Sequence, residues 1–121
     1  RTREIHDAVK RRCLYHWVAF PSVERELDIV RLKAPGASER LYRQVVEFVQ
    51  RMRTLDLFKS PGVAETIDWT NALLALNSLQ LDPASVRDTL GVLLKHQDDI
   101  VRMHSGDTAQ LLDELRAKAL L

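Results

Sequence analysis

Two patterns of apolar residues divide the chain near residue 21. Residues 14–20 form a run rich in aromatic and β-branched side chains that ends at Pro21, and such a run is typical of a strand buried on both faces. After Pro21, apolar residues recur every three or four positions, the period of an amphipathic helix. The pattern therefore predicts one strand followed by a helical bundle.

A short helix is predicted ahead of the strand, over residues 2–12. Thr2 is a suitable N-cap, and Ile5 and Val9 lie on one helical face. A lone buried strand leaves its backbone N–H and C=O groups without partners, which is unfavourable. We therefore expect the rest of its sheet to lie in sequence that precedes residue 1.

Five helices are predicted after residue 21. Each begins with a side chain that can cap the first turn, followed in two cases by the proline that the first helical position tolerates. The first is closed by residues 35–36, a Pro-Gly pair. The predicted starts are Ser22, Ser38, Ser60-Pro61, Asp82-Pro83 and Asp107.

The apolar stripes of these helices predict an all-α fold class, a bundle of four to five helices. The clearest stripe belongs to the second helix and steps by four, three, four and three positions. The fourth helix is predicted to continue to Ile100. The predicted core comprises Val23, Leu27, Val30, Leu41, Val45, Phe48, Met52, Leu55, Ile67, Trp69, Leu73, Leu76, Val86, Leu90, Leu93, Ile100, Leu111, Leu112 and Leu115.

Composition and charge narrow the classes of partner. The 121 residues include 18 Lys and Arg against 17 Asp and Glu, and a net charge of +1 supplies no excess field for nucleic acid or an anionic membrane. The apolar runs are much shorter than the roughly 20 residues that span a bilayer. The single cysteine, Cys13, cannot form an internal disulfide and fits a reducing compartment. We expect a cytoplasmic protein that binds neither nucleic acid nor membrane.

The chain carries no familiar motif for catalysis or metal binding. A phosphate-binding loop needs clustered glycines, whereas the four glycines here are isolated, and Gly36 and Gly106 are expected at helix stops or turns. No histidine has a Cys or His at ligand spacing. His96 and Asp99 lie three apart, which we interpret as a solvated polar face. We expect no metal site.

A dense cationic cluster, residues 10–12, lies at the end of the first predicted helix. Two interpretations of it stay open. The cations can satisfy the helix dipole and its last carbonyl groups. Alternatively, an arginine at the rim of a parallel sheet can reach a phosphate on a neighbouring subunit, because its guanidinium presents a planar fork of donors.

Residues 2–17, together with Phe20-Pro21, resemble the segment just after sensor 1 in AAA+ ATPases of the MoxR family. The nearest likeness is to a subgroup associated with maturation of carbon monoxide dehydrogenase and related molybdenum enzymes. The resemblance covers most of the chain in order and at family-like spacing. It continues through residues 35–36, 45–49, 60–69 (SPGVAETIDW), 88–91 and 94–100.

The resemblance implies two parts. Residues 1–20 end the nucleotide-binding core, with 14–20 as its last strand, and residues 21–121 form a helical lid. It also implies a chaperone that hydrolyses ATP, with the Mg²⁺ site outside this chain. The implied assembly is a homo-oligomeric ring, usually a hexamer, that acts with a von Willebrand factor A domain protein on a client enzyme.

The same resemblance places an arginine finger at Arg12, with Arg11 sharing or supporting its role. Such a finger stabilises charge on the γ-phosphate bound by the adjacent protomer. The family's lid carries a sensor 2 arginine at the start of its third helix, but residues 62–67 of this chain contain none. The expected lid contacts with the nucleotide are Gly62, Val63 and Glu65. A lid without any nucleotide contact stays open.

A helical binding module is the alternative function. Its partner could be another helix, or nucleic acid bound through residues 10–12, and the predicted helix start at residues 82–87 superficially suits a recognition helix. The near-zero net charge opposes the nucleic-acid version. Under either function the chain is predicted to lack catalysis of its own, because it has neither a phosphate loop nor paired acids after a strand.

Overall fold

A computed structural model describes residues 20–118, and every regular element among them is helical. The elements are α1 Val23–Lys33, α2 Glu39–Met52, α3 Val63–Ala75, α4 Pro83–Leu93, α5 Gln97–Arg102, a π-helical turn Met103–Asp107 and α6 Thr108–Ala117. The segment 103–107 contains a kink, because Gly106 has non-helical backbone angles, and it joins α5 to α6. With α5 and α6 counted as one kinked rod, the described part is a bundle of five helical rods, which confirms the all-α prediction. The predicted helix at 2–12 and the strand at 14–20, apart from Phe20, lie outside the described residues.

Three helices begin at the predicted residues because local side chains cap them. The hydroxyl groups of Ser22 and Ser38 and the carboxylate of Asp82 each accept a hydrogen bond from the backbone N–H three residues on, at 3.2, 3.1 and 2.7 Å. Pro83 occupies the first turn of α4, where its missing N–H costs nothing. These caps satisfy donors that the first helical turn leaves unpaired.

The predicted start of the third helix is wrong by two residues. Gly62, not Ser60, is the N-cap of α3, and Pro61 precedes the helix instead of opening it. The carboxylate of Glu65 accepts a hydrogen bond from the N–H of Gly62 at 2.8 Å, and the carbonyl oxygen of Pro61 accepts one from Arg53 at 2.8 Å. These contacts hold Pro61 in the loop.

The fourth helix is shorter than its apolar pattern predicts. It ends at Leu93, and Leu94 has an extended conformation with φ −111° and ψ 128°. A new cap follows at once, since the imidazole of His96 accepts a hydrogen bond from the N–H of Asp98 at 3.3 Å. Ile100 therefore belongs to α5, although it still packs against the main core.

The two glycines predicted at stops or turns occupy positions that need a positive φ. Gly36 lies in the turn between α1 and α2 with φ 110°, and Gly106 lies in the π turn with φ 141°. Side chains disfavour both conformations, whereas glycine adopts them without a steric penalty. Gly106 thereby allows the last rod to change direction between α5 and α6.

The main core lies between α2, α3, α4 and α6, with Trp69 among its largest members. The Trp69 ring is 5.3 Å from that of Phe48, and its indole N–H donates to the hydroxyl of Thr89 at 2.6 Å. The prediction that Leu76 is buried is wrong, because this residue caps the C-terminus of α3 and is 55% exposed. A second cluster joins α1 to α2: Leu27, Val30, Ala34, Tyr42 and Val46.

Charged side chains also join α1 to α2. The guanidinium of Arg31 donates to Asp28 at 2.8 Å and to Glu39 at 3.0 Å. This hydrogen bond from Arg31 lowers the pKa of the Glu39 carboxyl, and the positive charges of Arg31 and Arg43 act in the same direction.

None of the helices between residues 20 and 118 is both long and apolar enough to cross a membrane.

Replacing Asp82 with alanine tests the capping of α4. We expect Asp82→Ala to lower the free energy of unfolding by about 1 kcal/mol, because the N–H of Ser85 loses its acceptor. Urea denaturation monitored by circular dichroism measures the change. The matched control is Asp88→Ala on the exposed side of the same helix, where the change should stay within about 0.5 kcal/mol. Equal losses in the two variants would contradict the capping role.

The lowered pKa of Glu39 predicts a pH-dependent contribution to stability. The unfolded chain titrates this carboxyl near the ordinary value of about 4.3, so the contribution is fully present above that pH. It is lost as the pH falls through the lower folded pKa, because protonation removes the attraction to Arg31. In urea titrations across this range, the stability difference between the wild type and Glu39→Gln should shrink with falling pH. A difference that is independent of pH would contradict the ion pair.

Candidate functional site

A buried ion pair connects the beginning of α1 to the end of α2. Arg53, the C-cap residue of α2, donates from Nη1 and Nη2 to the two carboxylate oxygens of Glu26 at 2.7 and 2.8 Å. The side chains of Arg53 and Glu26 are only 3% and 0% exposed. Two parallel bonds between charged groups give this pair a defined geometry as well as attraction.

Neighbouring side chains complete the hydrogen bonding of the pair. The hydroxyl of Thr66 in α3 and the amide of Gln50 in α2 donate to the Glu26 carboxylate at 2.8 and 2.7 Å. Nε of Arg53 donates to the carbonyl oxygen of Pro61 at 2.8 Å. A buried charge is tolerated only when it is paired and hydrogen-bonded in this way. We call Glu26, Gln50, Arg53 and Thr66 the Glu26–Arg53 network.

The network also holds the residues that lead into α1. The amide of Gln50 donates to the carbonyl oxygen of Pro21 at 3.0 Å, and the guanidinium carbon of Arg53 lies 4.4 Å from the centre of the Phe20 ring. That distance suits a cation–π contact. Phe20-Pro21 is the boundary between the two predicted parts of the chain, so this boundary and the start of α3 lie side by side.

The three residues predicted to contact a nucleotide from the lid share the start of α3. Gly62 is the N-cap, Val63 is the first helical residue, and Glu65 follows within the same turn. All three are partly exposed. A side chain at position 62 would bring its Cβ to 3.1 Å from a carboxylate oxygen of Glu65, a tighter approach than is usual, so glycine suits this cap.

The electrostatics of this turn select what it can bind. The carboxylate of Glu65 already lies against the backbone N–H of Gly62 and complements the positive end of the helix dipole. A phosphate placed there would meet like charge. Hydroxyl and amino groups, which donate hydrogen bonds, are the compatible ligands. The predicted arginine-finger residues, Arg11 and Arg12, lie outside the described residues.

The interpretation of Asp99 as part of a solvated face is wrong. Asp99 is only 2% exposed, and its carboxylate accepts hydrogen bonds from the N–H groups of Phe58 and Lys59 at 2.8 and 3.0 Å. It therefore supports the loop between α2 and α3. His96 is exposed, and its ring stacks on Phe58 at 4.4 Å. Among residues 20–118, no three His, Cys, Asp or Glu side chains are grouped as a metal site would need.

One feature of the sequence points to the Glu26–Arg53 network: a charged residue at a position where the helical pattern expects an apolar one. Glu26 lies three residues after Val23 and four before Val30, so helical spacing places this charged residue on the apolar face of α1. A charge in that position needs a partner. The partner follows 27 residues later, and nothing local identifies it.

Comparison of the chain with protein-family models, with curated proteins and with solved structures finds no match.

Removing one member of the ion pair should be far more destabilising than replacing both. We expect Arg53→Met to cost roughly 3–5 kcal/mol, because Glu26 is left as a buried charge without its partner. The double variant Glu26→Leu with Arg53→Met should recover most of that loss. Guanidinium chloride denaturation measures both values. A double variant that is less stable than Arg53→Met alone would contradict the electrostatic explanation.

Proposed function

We propose that the chain is the arginine-finger corner and helical lid of a ring-forming AAA+ ATPase similar to the MoxR family. In this proposal residues 1–20 end the nucleotide-binding core and residues 21–121 form the lid. ATP and Mg²⁺ are held mainly by core residues outside the chain. The assembled ring, a hexamer as in that family, couples hydrolysis to remodelling or maturing a client such as a metalloenzyme, together with a von Willebrand factor A domain partner.

The position of Arg53 is the observation that carries the proposal. Its guanidinium contacts both the ring of Phe20 and the carbonyl oxygen of Pro61. The boundary of the bundle and the first turn of α3 are therefore one side chain apart. A lid that closes over a nucleotide held by the preceding core must present its contact surface beside that boundary. The first turn of α3 meets this requirement.

The charges of the candidate residues indicate which part of the nucleotide each of them would contact. Glu65 opposes a phosphate at the first turn of α3, so we propose that Gly62, Val63 and Glu65 cover the base and ribose. This division is consistent with the absence of a sensor 2 arginine from residues 62–67. Phosphate charge is then met by Arg12, supported by Arg11, from the neighbouring protomer.

The single cysteine and modest net charge are in keeping with a cytoplasmic location.

Replacing the proposed finger tests this function. In the assembled ATPase that contains this chain, Arg12→Ala should lower the rate of ATP hydrolysis by roughly a thousandfold, since the finger stabilises charge that develops in the transition state. Steady-state phosphate release measures the rate, and size-exclusion chromatography confirms that the ring is intact. The control is Arg25→Ala, an exposed arginine in α1. Unchanged turnover in Arg12→Ala would overturn the finger assignment.

A further inference from the structure

We infer that Gln50 and Arg53 are positioning residues that lock the first turn of α3 to the segment Phe20-Pro21. The first turn of α3 then moves with this segment as one body. The lock itself follows from contacts within the bundle. Its consequence for a bound nucleotide rests on the proposed function.

The amide of Gln50 is the first part of the lock. Its nitrogen donates to the carbonyl oxygen of Pro21 at 3.0 Å and to the carboxylate of Glu26 at 2.7 Å. The two bonds use both hydrogens of the amide. Because both partners are acceptors, the opposite orientation of the amide would place oxygen against oxygen. Gln50 therefore ties the boundary segment directly to the buried ion pair.

The guanidinium of Arg53 is the second part of the lock. Its nitrogens donate to the carboxylate of Glu26 and the carbonyl oxygen of Pro61, and its central carbon lies over the ring of Phe20. The fork of donors is planar and rigid, so these contacts fix one another's geometry. A lysine ammonium could keep the charge but could not make this set of contacts. Thr66, which bonds Glu26 from α3, closes the connection.

The chemistry of the network favours a positioning role over simple stabilisation. Apolar side chains of similar volume often stabilise a protein as well as a buried ion pair or better. What a satisfied network adds is direction, because each hydrogen bond fixes an angle as well as a distance. Here the bonds join α1, α2, the start of α3 and the boundary segment. Displacing any one of these elements requires breaking hydrogen bonds that are buried or partly buried.

Amide hydrogen exchange of the full 121-residue chain without nucleotide tests the lock. The variant Gln50→Leu should accelerate exchange by about tenfold at Thr66, whose N–H bonds the carbonyl oxygen of Gly62 at 3.1 Å. The N–H of Glu26, bonded to Ser22 at 2.9 Å, should accelerate by a similar factor. Gln50→Leu removes the hydrogen bond to Pro21. Thr66 is not hydrogen-bonded to Gln50 but bonds the same Glu26 carboxylate from α3, so its exchange rate reports whether the effect reaches α3.

The matched control is Gln44→Leu, which replaces another glutamine of α2. Gln44 accepts a hydrogen bond from the N–H of Leu81 at 2.7 Å, outside the Glu26–Arg53 network. The Gln44→Leu variant should accelerate amide exchange at Leu81. The exchange rate at Thr66, divided by the rate of global opening, should stay as in the wild type. Equal acceleration of Thr66 by both glutamine variants, or none by Gln50→Leu, would overturn the lock.

Two further variants keep the test independent of any one substitution. Phe20→Leu keeps an apolar side chain but removes the ring under the guanidinium, and Arg53→Lys keeps the charge but not the fork. Both should accelerate exchange at Thr66, with Arg53→Lys having the larger effect. Unchanged exchange in both variants would also overturn the lock.

A kinetic measurement separates the lock from the proposed function. In the assembled ATPase, Gln50→Leu should raise KM for ATP by about tenfold and change kcat much less, because a loosened lid weakens binding more than chemistry. If exchange at Thr66 accelerates while KM stays constant, the lock stands and the placement of α3 over the nucleotide is overturned. If exchange does not change, the lock fails whatever the kinetics show.

Discussion

The arrangement of the first three helices depends on the ion pair between Glu26 and Arg53, whose charged groups are buried away from water. Such a pair is stable only if its members meet in good geometry and their remaining donors and acceptors are satisfied. Gln50, Thr66 and the carbonyl oxygen of Pro61 supply those partners. Because the partners come from different elements, satisfying one ion pair also sets where α3 begins relative to α1 and α2.

Buried polar side chains support the irregular segments elsewhere in the described bundle as well. Asp99 accepts the backbone N–H groups of Phe58 and Lys59 in the loop before α3, and Gln44 accepts that of Leu81 in the loop before α4. The apolar core between the helices fixes their packing, but it cannot bond loop backbone groups. Side chains of helix residues hydrogen-bond these loop groups instead. Such bonds give a surface turn, such as the one at Gly62, a defined position.

The parts of this structure that the sequence predicts well are those decided over three or four residues. Ser22, Ser38 and Asp82 bond an N–H three residues away, so their capping can be recognised without knowing the fold. The apolar stripes likewise identify the helices and most of the core. The start of α3 differs from the prediction because two contacts act together: Glu65 accepts the N–H of Gly62, and Arg53, eight residues before Pro61, donates to the carbonyl oxygen of Pro61.

By itself the sequence therefore determined the helical class and most helix starts, whereas Gly62, Val63 and Glu65 stay predicted contacts. Only the tertiary structure decided that these residues lie beside Phe20-Pro21, and that Asp99 is buried. The physical reason is distance along the chain. Glu26 and Arg53 are 27 residues apart, and Asp99 and Phe58 are 41 apart. Such pairings form only when packing brings separate helices together, and no local pattern encodes them.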